Sequence, residues 1–72
     1  MTCFFVRKYA GADAGPELVR FDLDPRVERA AQAYRYLFHA GSWVPDTTGV
    51  LGELVRRTGQ YRQIGENEVM EM

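Results

Sequence analysis

Few residues in this 72-residue chain can do chemistry: one thiol, Cys3, one imidazole, His39, and ten carboxylates, of which Asp46 stands out in the run Asp46-Thr47-Thr48-Gly49. A thiol beside an imidazole can act as an activated nucleophile. Cys3, His39 and Asp46 are therefore the groups that a small enzyme with a site formed between subunits would have to use. Each also has a purely structural use. Cys3 lies in a run of aromatic and β-branched residues, where thiols pack as small hydrophobes. His39 falls near the end of a predicted helix, where a positive charge is favoured by the exposed carbonyls. Asp46, Thr47 and Thr48 are N-cap types. No catalytic residue is assigned on this basis.

The four residues 46–49 resemble the Asp-Thr-Gly of retroviral-type aspartic proteases, in which two chains each supply one carboxylate. The extra threonine breaks the spacing of that motif, and the family's later hydrophobic-hydrophobic-Gly element has no clear counterpart, so a helix N-cap accounts for the same residues. Gly11 and Gly15 precede no Lys-Ser/Thr pair and no helix, which removes a phosphate cradle. Asp13, Glu17, Asp22 and Asp24 lack calcium-loop spacing. With a single Cys and a single His there is no set of metal ligands. The expectation is no metal and no cofactor.

Binding is the better prospect. Arg56, Arg57 and Arg62 form the strongest basic cluster and carry the alternative of a nucleic-acid-binding protein. Against it stand a net charge of -1, where phosphate-binding domains usually show a basic excess, and the acidic tail that follows. Residues 42–48 are also longer than the three- or four-residue turn of a helix-turn-helix. The leading expectation is a non-enzymatic protein-interaction module, an accessory, adaptor or inhibitory protein. It would use the outer face of a first helix, where Tyr36 is flanked by Arg29, Gln32 and His39, with Trp43 beyond the helix end. Tyr and Arg are typical interface anchors because they bury large areas with few rotamers.

The elements that position these residues follow from their patterning. Residues 2–9 read as a strand with aromatics on both faces, expected to be central in its sheet. Residues 10–17 read as a loop, and residues 18–23 as a second strand with Val19, Phe21 and Leu23 facing the core. Asp24 and Pro25 are N-terminal helix signals. From Val27, a step of 100° per residue places Val27, Ala30, Ala31, Tyr34, Leu37 and Phe38 within an arc of about 120°, with Gly41 as a left-handed stop. This predicts a helix over 24–41 lying on the hairpin. Residues 42–48 read as a loop in which Trp43 folds back as a lid. Residues 49–59 read as a second helix with Val50, Leu51, Leu54 and Val55 on one stripe, Glu53 four before Arg57, and Gly59 as its stop. QYRQI at 60–64 can add a third strand.

The fold class expected is therefore α+β: a small single domain over 1–65, an antiparallel β-hairpin with a possible third strand packed against two helices in the order ββαα(β), and an acidic tail at 66–72. A chain of this length buries only about 60% of its unfolded surface, and one cysteine cannot supply an intrachain disulfide. Self-association or a protein partner is expected for that reason. At 46% hydrophobic and 26% charged residues the chain is globular. No apolar run reaches membrane-spanning length, and the opening MTCFFVRKY lacks a basic n-region and a long h-region, so the expected location is cytoplasmic with no membrane partner.

Overall fold

The computed structural model describes residues 2–7 and 17–71. Lys8 and Tyr9 of the first expected strand, and residues 10–16 of the expected loop, lie outside the described residues. Strand β1 (Cys3–Arg7) pairs antiparallel with β2 (Glu17–Phe21), placing Cys3 opposite Phe21 and Phe5 opposite Val19. This is the expected hairpin. Strand β1 is also central, because β5 (Arg62–Ile64) pairs with its other edge, antiparallel, with Phe4 opposite Ile64. The third strand suggested by QYRQI thus forms, three residues long.

Residues 24–41 are not a helix, which corrects the sequence reading. Strands β3 (Ala33–Leu37) and β4 (Ser42–Asp46) form a second antiparallel hairpin that extends the sheet beyond β2, giving five strands in the order β4-β3-β2-β1-β5. The helix-start signals produce one turn only. The carbonyl of Asp24 accepts from the N–H groups of Val27 and Glu28, and its carboxylate accepts from the Arg26 N–H. The chain then extends. Tyr34, Tyr36 and the neighbouring Phe38 recur every second residue, a strand period in residue types of high β-propensity. A third strand also satisfies the free backbone edge of β2, which a helix laid on its face would leave open. Gly41 does adopt the left-handed conformation, with φ of 65°, but it closes the hairpin: the N–H groups of Ala40 and Gly41 both donate to the Leu37 carbonyl. Pro45 sits in β4 at the sheet edge, the position where a strand tolerates a missing donor.

The cover expected from the first helix is supplied by α1 (Val50–Thr58), whose Leu51 and Val55 pack on Cys3, Phe5, Val19, Phe21, Ala33 and Tyr61. Helix α1 matches the predicted second helix, and Gly59 ends it at φ of 64°. Asp46 anchors its start. One carboxylate oxygen accepts from the backbone N–H and hydroxyl of Thr48, and the other accepts from the Leu51 N–H at 3.1 Å. Glu53 pairs with Arg57 at 3.0 Å, as its spacing predicts, and with Arg56 as well. Residues Glu66–Met70 form a short helix, α2. The α+β class of the sequence reading holds, with observed order ββββαβα.

The core assignments shift accordingly. Val19 and Phe21 are fully buried as expected, Leu18 on the opposite face of β2 is buried too, and Leu23 and Val27 are exposed. Phe21→Ala should cost about 3–5 kcal/mol, comparable to the net stability of a small domain, and leave the chain largely unfolded in urea titrations at 25 °C. Val27→Ala should leave the midpoint unchanged, because Val27 is 83% exposed; a large loss there would restore the helical reading.

Candidate functional site

Strand alternation divides the sheet into two faces. The α1 face carries Cys3, Phe5, Val19, Phe21 and Ala33. The other presents the cross-strand row Ile64, Phe4, Arg20, Tyr34, Pro45, with Tyr36 and Trp43 opposite one another in the neighbouring row. An aromatic cluster forms on this second face. The Trp43 ring lies 5.0 Å from Tyr36 at 61° and 6.2 Å from Phe4, and Tyr36 meets Phe38 edge-on at 4.9 Å. The Arg20 guanidinium lies over both Tyr34, at 4.3 Å, and Trp43, at 4.9 Å. Residues 42–46, expected to be a loop, are strand β4 instead, and Trp43 packs on Tyr36 and Phe4 on the face away from the α1 core rather than folding over the open end of that core. Ring pairs of this geometry add about 0.5–1.5 kcal/mol beyond area burial, and a guanidinium over a ring adds about 0.5–1 kcal/mol at exposed sites.

A groove of about 410 Å³ opens beside this cluster, with Leu18, Tyr36, Phe38 and Trp43 on the sheet side and Val69 and Met70 on the α2 side. Phe38 is 44% exposed and Met70 81%. Among the residues expected at the interaction face, the structure brings Tyr36 and Trp43 together and leaves the others apart. Gln32 spans two strands, its side-chain amide donating to the carbonyls of Ala33 and Asp46. Arg29 lies in the exposed segment between β2 and β3, and His39 in the turn between β3 and β4. The residues missed were Phe4, Arg20 and Tyr34. The alternation of β1 and β2 sets Phe4 and Arg20 on the face opposite Phe5 and Phe21, whereas Tyr34 lies in the segment that reads as a helix, on its inner stripe.

The basic cluster does not converge. Arg56 and Arg57 are on α1, paired with Glu53, and Arg56 also donates to the Pro25 carbonyl. Arg62 is on β5 in the row of Val6, on the opposite face, 3.5 Å from Glu68. The reactive groups are dispersed too. Cys3 and Asp46 fall in one cross-strand row, but on β1 and β4, three strand spacings or about 14 Å apart. His39 is at the other end of the β3–β4 hairpin. Among the described residues no three His, Cys, Asp or Glu side chains gather as metal ligands, and no helix is long and apolar enough to cross a membrane.

No family model, curated protein or solved structure matches the chain. The site must be read from its own geometry.

A second polar group lies at the end of β1 and β2. Arg7 donates to one Glu17 carboxylate oxygen at 3.0 Å, and the Tyr61 hydroxyl donates to the other. Arg7 also lies over the Tyr61 ring at 5.5 Å. Burial, then the hydrogen bond to Glu17 and its negative charge, push the Tyr61 phenol up to about 12. Asp46 is moved the other way: burial raises its carboxyl, but the hydrogen bonds from Thr48 and Leu51 outweigh that and hold it below the usual carboxylate range. The Tyr61 contribution to stability is fully present below the unfolded tyrosine pKa near 10 and is lost as pH rises through 12. Alkaline unfolding followed by circular dichroism should therefore show stability falling between about pH 10 and 12, and Tyr61→Phe should remove that component of the pH dependence. An unchanged profile in Tyr61→Phe would contradict the upward shift of the Tyr61 phenol by its burial and its bond to Glu17.

Proposed function

We propose that the chain is a non-enzymatic protein-interaction module, an accessory, adaptor or inhibitory protein, whose contact surface is the aromatic face of the sheet around Tyr36 and Trp43. The observation that supports it is the half-buried cluster of Tyr36, Trp43, Phe4 and Tyr34 around Arg20, with Phe38 exposed at its margin, beside an open groove. Rings of this kind, fixed in place before binding, give up little conformational entropy when a partner covers them. The opposite face is already occupied by α1, and the potentially reactive side chains Cys3, His39 and Asp46 lie apart. Among the described residues Cys3, His39 and Asp46 do not converge, which favours a binding role over an enzymatic one. Self-association through the same face belongs to this reading.

The reading is tested by light scattering on the purified chain together with affinity capture from the native host. The expected result is a dimer or a retained partner that Tyr36→Ala weakens by about 2 kcal/mol, roughly thirtyfold, as for the loss of an aromatic anchor. A strict monomer that retains no partner, and behaves identically with Tyr36→Ala, would sink it.

A further inference from the structure

Arg20 is a half-buried cation to which the fold gives no acceptor, and the inference drawn from it rests on the interaction reading above. Among the described residues the other half-buried charges are matched: Arg7 with Glu17, Asp24 with Arg26, Arg56 with Glu53, and Asp46 with the Thr48 hydroxyl and the Leu51 N–H. Arg20 is half-buried too, yet among the described residues no carboxylate pairs with it and no oxygen accepts from it. Its contacts are the rings of Tyr34 and Trp43, at 4.3 Å and 4.9 Å. The rings hold the guanidinium in place and supply no oxygen acceptor to its N–H donors. A cation fixed in this way and partly withdrawn from water gains more from a charged acceptor than a freely hydrated one, because less ordering and less stripping of water remain to be done.

Arg20 also lines a pocket of about 570 Å³ at the ends of β1 and β5, together with its cross-strand neighbours Phe4 and Ile64 and with Thr2, Gln63 and Glu66. The planar fork of an arginine matches a carboxylate, which it can hold through two parallel hydrogen bonds. Glu66 lines the same pocket without pairing with Arg20, so it opposes a second negative charge and favours a carboxylate over a phosphate dianion. The other arginine on this face of the strands, Arg62, already meets Glu68 at 3.5 Å. Arg20 stands on the middle strand of five, with Tyr36 and Trp43 on one side and Phe4 on the other. A ligand that reaches it has aromatic surface to cover in both directions, which suits an acidic residue inside a segment better than a chain end. We infer that Arg20 is the ionic anchor of the interaction face, receiving the side-chain carboxylate of an aspartate or glutamate of the partner, with apolar residues on either side of it covering Trp43 and Phe4.

Trp43 is the only tryptophan in the chain and touches Arg20, so its fluorescence reports this contact. The full chain would be titrated with a short peptide, blocked at both ends, that carries one central glutamate flanked by leucines. Three control peptides would have glutamine in place of the glutamate, phosphoserine in its place, or glutamine together with a free C-terminal carboxylate. A saturable Trp43 response to the glutamate peptide is expected, weakened about tenfold or more by glutamine, as for the loss of a charge-assisted hydrogen bond. Arg20→Lys, which keeps the charge and loses the fork, should weaken it by about tenfold, and Arg57→Lys on α1 should leave it unchanged. Both variants would be checked for native circular dichroism; if Arg20→Lys fails that check, the glutamate and glutamine peptides on the unaltered chain decide alone. No response, equal binding of the glutamine peptide, or tighter binding of the phosphoserine or free-carboxylate peptide overturns the inference. If a Tyr36-dependent dimer or partner is still observed in that case, the interaction reading survives; if neither is found, both fall. A Trp43 shift that tracks protein concentration without peptide overturns it in favour of a second copy. Quenching by oligothymidylate that exceeds the peptide response and is released by salt overturns it in favour of single-stranded nucleic acid.

Discussion

Strand β2 has apolar side chains to bury on both of its faces, and most of the architecture answers that constraint. Val19 and Phe21 point to one side and Leu18 to the other, and all three are essentially inaccessible to water. Phe21 alone, edge-on to Phe5 at 5.7 Å, brings a large apolar area to the centre of the sheet. A strand buried on both faces must also have both edges paired, because an open backbone edge inside the protein would leave donors and acceptors unsatisfied. Strands β1 and β3 supply those pairings. Helix α1 then covers one face, and Trp43 with α2 partly covers the other.

Much of this was legible in the residues. Alternation located β1 and β2 and set Val19 and Phe21 together; two helix-period turns and a glycine stop located α1; and the Glu53–Arg57 spacing foretold an ion pair that is observed at 3.0 Å. What failed was residues 24–41, where the local signals conflict. Asp24-Pro25 and Gly41 are good helix punctuation, and Val27 to Phe38 fits a helical stripe. Yet Tyr34-Arg35-Tyr36-Leu37-Phe38 also fits a strand. Local pattern cannot decide between them, because the deciding quantity is the unpaired edge of β2, a non-local demand. The punctuation residues kept their conformations and changed their context: Asp24 still caps a turn, and Gly41 still turns left-handed.

That exchange of context also altered what the site contains. On a helix, Tyr36 would share a face with Gln32, Arg29 and His39, and Trp43 would lie beyond the helix end. On a strand, Tyr36 is directly opposite Trp43, and the alternation of neighbouring strands brings Phe4, Arg20 and Tyr34 to the same side. A helical step from Val27 sets Tyr36 outward, and the structure replaces that step with strand alternation; Trp43 is expected from the sequence to fold back rather than face outward. Their companions depended on the sheet register, which the sequence pattern fixes within a hairpin but not between hairpins.

Arg20 shows how this aromatic face can stay half-buried in a domain with so small a core. Its guanidinium lies over Tyr34 and Trp43 at once, so it holds a ring of β3 and a ring of β4 from a position on β2 and keeps its charge at the surface. A leucine in its place would bury more apolar area but present an uncharged patch, with the tendency to non-specific association that such patches bring. A lysine would lack the planar group that stacks on the two rings. The arginine therefore orders Trp43 while keeping the surface polar, and an ordered ring loses less freedom when a ligand covers it than a mobile one. By this argument the half-buried state of Trp43 is consistent with a binding surface: the contacts that shield part of its ring from water also fix the part that remains exposed.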